Sequence, residues 1–180
     1  MENPMAMGQP HGLYIMGRNK MYSRKIYLRW SDFHKQFVAT SLGIDEDVRH
    51  TPNQGYGVSE IAGWLSSDLP DGLDSVDIWI KNLTDLASGK STDGNFGLGN
   101  AHWVMVTQGR VFIGCEYVEE QQVLLTIEQT LYVLEQYRSF LEGSYTKEYP
   151  PEAIDVEYLS EGKDAVTQYE SLEGAYCLPY

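Results

Sequence analysis

Apolar and polar side chains alternate from Met21 to Trp30. Tyr22, Ile26, Leu28 and Trp30 share one parity, while Lys25, Tyr27 and Arg29 fall on the other. A period near two in β-favouring residues predicts a strand, joined to another over His11–Gly17 by a turn near Gly17–Lys20. The spacing then lengthens. Phe33, Phe37, Val38 and Leu42 fall on one helical face behind a Ser31 or Asp32 cap, with Gly43 placed as a left-handed C-terminal stop. Residues 44–57 read as a long polar loop. Ser59 opens a short helix carrying Ile61, Trp64 and Leu65, with Pro70 beyond its end. Val76, Trp79, Ile80, Leu83 and Leu86 then recur at helical spacing, predicting a third helix that Gly89 stops.

The clearest pattern follows a glycine-rich loop. Residues 101–107 and 110–117 are apolar, β-rich runs flanking Gln108-Gly109, which reads as a tight hairpin. Val123-Leu124-Leu125 adds a short strand. Thr126 with Gln129 forms a capping-box pattern that introduces a helix carrying Leu131, Leu134, Tyr137 or Arg138, and Leu141 toward the core and ending at Gly143. Strands and helices in this order predict an α+β fold, an antiparallel sheet including the 101–117 hairpin with helices packed mainly on one face. Residues 1–12 read as a flexible N-terminus, 13–143 as a single domain, and 144–180 as an acidic, Tyr-rich peripheral tail, part of it wrapping the domain.

Composition narrows the function. With 42 % hydrophobic residues in 180, the chain can bury a core without metals or disulfides. Cys115 and Cys177 lack zinc-type spacing and read as two free thiols in a reducing compartment. The first residues have no basic segment followed by an apolar run, and no stretch approaches a membrane span, so the expected location is the cytoplasm. Net charge is −13, unevenly spread: residues 1–35 hold six Lys/Arg against two acids, so the remainder carries −17. Such a field disfavours nucleic acid and anionic membrane and favours cationic partners.

The motifs that could carry chemistry lack their structural context. Ser88-Gly-Lys-Ser-Thr92 ends like a phosphate-binding loop, but the upstream glycine and the preceding strand are missing. Gly94-Asn-Phe-Gly-Leu-Gly-Asn-Ala101 leads into a strand, whereas a dinucleotide turn must lead into a helix. His11, His34, His50 and His102 are scattered, none at a ligand spacing from another histidine or a cysteine. His102 reads as a satisfied edge residue and Cys115 as a small buried hydrophobe. No Gly-x-Ser-x-Gly turn is present. The expectation is therefore no catalytic residue, no cofactor and no metal. Carboxylates interleaved with tyrosines remain, and they have the composition of a surface that grips a basic protein. The candidate partner-binding residues are Asp45, Glu46, Asp47, Tyr56, Asp68, Asp71, Tyr117, Glu119 and Glu120.

Residues 99–143 carry a resemblance. Gly99-Asn-Ala, a strand, Gly109, Val111-Phe-Ile113, Tyr117, an acidic turn, Val123-Leu-Leu-Thr, Leu131, Leu134 and Tyr137-Arg-Ser-Phe-Leu141 resemble immunity proteins of bacterial contact-dependent inhibition and other polymorphic toxin systems. The resemblance implies a small cytoplasmic protein that binds a cognate toxin domain, in many systems a basic nuclease, and occludes its active site. Two other classes stay open. One is an acidic adaptor or nucleic-acid mimic acting on another basic protein. The other is a small-molecule enzyme, for which no residue constellation is evident. A toxin gene directly upstream would separate the first reading from the adaptor. Oligomeric state is not legible.

Overall fold

In the computed structural model of the chain, residues 21–42, 55–69, 72–91, 94–118 and 120–172 are described. The alternation from Met21 becomes β1 (Tyr22–Ser31), which turns Ile26 and Leu28 into the core. The strand expected over His11–Gly17 lies outside the described residues.

The helix expected from Ser31 to Leu42 does not form. Residues 32–35 make a turn and β2 (Gln36–Thr40) runs back antiparallel, with Trp30 opposite Phe37 and Leu28 opposite Ala39. One helix-like turn does start. The Ser31 carbonyl accepts from the Lys35 N–H at 2.8 Å, and the Ser31 hydroxyl oxygen accepts from the His34 N–H at 3.1 Å. Lys35 then adopts φ 57°, which breaks the helix. Phe37 instead packs edge-on against Trp30 at 5.5 Å, so cross-strand pairing overrides the helical spacing. Phe33 is 89 % exposed at the tip and belongs to no apolar face.

The expected hairpin forms. β4 (His102–Thr107) and β5 (Arg110–Cys115) pair antiparallel, and the turn residues Gln108 and Gly109 both have positive φ, as a two-residue turn of this hand requires. β6 (Gln122–Thr126) pairs with β5. The glycine-rich stretch expected as a loop is itself the edge strand β3 (Gly94–Leu98), irregular between Asn95 and Gly97.

Of the helices, α1 (Tyr56–Ser67) begins three residues before the expected Ser59. A remote carboxylate supports that start: Glu161 accepts from the Gly57 N–H at 2.8 Å and from the Tyr158 hydroxyl at 2.7 Å. α2 (Leu73–Ala87) buries Val76, Leu83 and Leu86. α3 (Ile127–Glu142) has the expected capping box, with Thr126 and Gln129 exchanging side-chain to backbone hydrogen bonds.

Residues expected as a peripheral tail complete the sheets. Residues 144–149 are exposed, but β7 (Ile154–Tyr158) pairs with β1 and buries Ile154, Val156 and Tyr158. Through Leu159, whose N–H donates to the Leu124 carbonyl, it continues into β8 (Ser160–Glu161) on the edge of β6. The strand orders are β2-β1-β7 and β3-β4-β5-β6-β8, so one run, 154–161, belongs to both sheets.

The fold is α+β and antiparallel. Val104, Val106, Val111, Ile113, Val123 and Leu125 join residues of α1, α2 and α3 in the larger core. Trp103, Met105, Phe112 and Leu124 point the other way, against Ala165 and Tyr169 of α4 (Gly162–Ser171). Three of the four helices among the described residues thus pack into the core on one face of the larger sheet. Among the described residues no helix is long and apolar enough to cross a membrane.

Candidate functional site

Glu60, Trp64 and Asp68 stand four residues apart, so they line one stripe at the inner side of α1 and just past its end. That stripe crosses the sheet where β4 begins and β5 ends. A two-residue turn at Gln108-Gly109 sets the register that places His102 opposite Cys115, and their side chains share a face. Gly63 makes room for the imidazole, since a Cβ there would lie 2.8 Å from His102 Nε2.

Asp68 organises the cluster. Its side chain is 3 % exposed. One oxygen accepts from the backbone N–H groups of Asn100 and Ala101, and the other pairs with His102 Nδ1. The Asn100 amide donates to the Ser67 carbonyl at 3.0 Å, closing the turn onto the helix end. With Nδ1 engaged, Nε2 is the free edge of the ring, and it faces Glu60 Oε1 at 3.8 Å, beyond hydrogen-bond reach.

Glu60 is the anomaly. It is fully buried, and neither carboxylate oxygen accepts a hydrogen bond from the described residues. Burial, and secondarily the charge of Asp68, pushes its pKa up to about 9. Leaving such a group unpaired costs roughly 1–3 kcal/mol or more, so it calls for a specific reason. Glu60, His102 and the half-buried Cys115 each present one donor atom, and these three atoms lie within 4.8 Å of one another. Alongside, a cavity of about 250 Å³ is lined by His102, Asp68, Trp64, Trp79, Ile78 and Asn82 among others. Trp64 and Trp79 meet edge-on at 5.2 Å on its wall.

The expected partner-binding residues separate. Asp45, Glu46, Asp47, Asp71 and Glu119 lie outside the described residues. Asp68 is corrected: it is buried against His102 and two backbone N–H groups, so it is not offered to a partner. Tyr117 is 75 % exposed on the β5–β6 turn, with Glu120 exposed nearby, and its hydroxyl reaches the Asn100 carbonyl at 3.5 Å. Tyr56 is half-exposed but starts α1, about 18 Å along the helix from the end that Asn100 caps. Tyr117 and Tyr56 therefore do not form one patch.

Sequence spacing does not show the cluster, because its donor atoms come from three elements, α1, β4 and β5. Two signals were present. The hairpin turn already dictates that His102 faces Cys115, and Glu60 interrupts the apolar run Val58, Ile61, Ala62, Leu65 of α1. No family model, curated protein or solved structure matches this chain.

Proposed function

We propose that this protein binds and neutralises a basic toxin domain in the cytoplasm by covering its active site, as an immunity protein that performs no reaction of its own. The observation that carries the reading is the β5–β6 turn. Tyr117 and Val118 stand exposed there, between Glu116 and the exposed Glu120. They lie at the same end of the sheet as the cavity rim, where Ile78 is 59 % exposed. Large apolar side chains surrounded by carboxylates suit a cationic partner: the rings and aliphatic groups supply contact area, and the charge speeds encounter. Against a nuclease, carboxylates would occupy positions meant for phosphates.

The test is a pull-down from the producing cells with the full chain as bait, followed by mass spectrometry. One basic toxin domain at near-stoichiometric yield is the expected result, with recovery reduced at least about tenfold by Tyr117→Ala. Association should slow steeply from low to physiological salt. Recovery of abundant metabolic proteins alone would overturn the reading. The buried cluster beside the cavity favours a second reading, small-molecule chemistry at His102, and that outcome would move weight to it.

A further inference from the structure

We infer that Glu60, His102 and Cys115 form a binding site for a thiophilic divalent transition metal, zinc being the best fit, with Asp68 as the outer carboxylate that orients the histidine. Four independent features converge on this. The first is donor chemistry. One imidazole nitrogen, one cysteine sulfur and one carboxylate oxygen are the ligand types zinc takes, whereas calcium and magnesium select oxygen alone.

The second is orientation. A metal-bound histidine typically gives its other ring nitrogen to a carboxylate, which fixes the ring. Here Asp68 holds Nδ1, and Nε2 is directed at Glu60. The third is spacing. Two ligands bound tetrahedrally at about 2.1 Å from zinc stand roughly 3.4 Å apart. Nε2 and Glu60 Oε1 are 3.8 Å apart, too far for a hydrogen bond and close to that separation. All three donor atoms fall within 4.8 Å of one another, so small side-chain adjustments bring them onto one centre.

The fourth is Glu60 itself. A buried carboxylate with both oxygens unpartnered among the described residues is costly in an apolar core, and a bound cation removes that cost. Cys115, only half-buried, gives the ion a way in. Three protein ligands leave a fourth position for water or for a donor from a binding partner. The ion would tie α1 to the β4–β5 hairpin beside the links that the Asp68 carboxylate and the Asn100 amide already make.

The experiment uses the full chain, reduced, stripped by a chelator and then titrated with zinc alone. One ion per chain should bind, with a rise in Tm. Cobalt in its place should give a thiolate-to-cobalt charge-transfer band. Cys115→Ala should abolish that band and weaken zinc at least about tenfold while retaining the fold by circular dichroism, and Glu60→Gln should weaken zinc similarly. The Cys115 variant also separates this site from Cys177. Failure to take up a stoichiometric ion, or cobalt uptake without the thiolate band, would overturn the inference. So would zinc affinity left unchanged by Cys115→Ala.

Discussion

The sheet built from β3 to β6 is covered by helices on both faces, and the two faces are filled differently. Under α4 the contact is mainly apolar and aromatic: Phe112 lies between Trp103 at 5.1 Å and a stacked Tyr169 at 4.7 Å, and the polar side chains buried on this face, Gln122 and Ser160, are uncharged, Ser160 meeting Gln168 of α4 at 3.1 Å. Under α1 and α2 the core is larger, yet its end holds a glutamate, an aspartate and a histidine, all buried. Among the described residues the smaller face buries no carboxylate and no histidine. The larger face carries polar groups that a core of Val, Ile and Leu has no use for, and it is the face beside a cavity. Protein interiors bury carboxylates at a cost, so the difference marks where stability has been exchanged for a site.

The largest expected effect lies on the apolar face. Phe112→Ala should cost about 3–5 kcal/mol in a denaturant titration, because the ring is wholly buried between two others. A loss below about 1 kcal/mol would show that this face is not tightly packed and would erase the contrast.

Glu60 comes next, and its effect has a sign. In the metal-free chain its folded pKa is about 9 against an ordinary 4.5, so the folded state holds a proton that the unfolded state releases. Stability from this group is full below about pH 4.5 and is lost as pH rises toward about 9. Between about pH 5 and 7 the loss is on the order of 3 kcal/mol. Asp68, His102 and Cys115 face the same spot. The measurement is therefore the difference between wild type and Glu60→Gln, whose stability should lack this slope. Parallel pH curves would refute the assignment.

Asp68→Ala should cost about 1–3 kcal/mol, since it strands the Asn100 and Ala101 N–H groups and releases His102. A neutral result by thermal melting would mean that solvent readily replaces the carboxylate there. The smallest effect on stability belongs to Tyr117→Ala, within about 0.5 kcal/mol, because the ring is mostly exposed. A large loss of stability would turn Tyr117 from a partner contact into a structural residue.

Local patterns were legible wherever one period and one stop signal agreed. Gln108-Gly109 between two apolar runs, the Thr126 and Gln129 capping box, and the Val76 to Leu86 stripe each specify one element. Phe33, Phe37, Val38 and Leu42 were ambiguous, because their spacing suits a helix while Phe37, Val38 and Thr40 favour a strand. The neighbouring β1 decides between them. Ile154, Val156 and Tyr158 alternate with Asp155 and Glu157 and mark β7 plainly, but the acidity of the surrounding tail concealed the period. The site was half legible. Register gave His102 opposite Cys115, whereas bringing Glu60 and Asp68 to them required α1 to be docked on the sheet, which no local pattern encodes.

The strand run shared by the two sheets has a consequence for synthesis. β1 and β6 each wait for partners encoded later in the chain, Ile154–Tyr158 and Ser160–Glu161. Until those residues clear the ribosome, these two strand edges lack the partners that cover them in the fold. Such edges recruit other chains. Synthesis of residues 154–161, more than collapse of the core before them, is thus the step that closes both edges against aggregation.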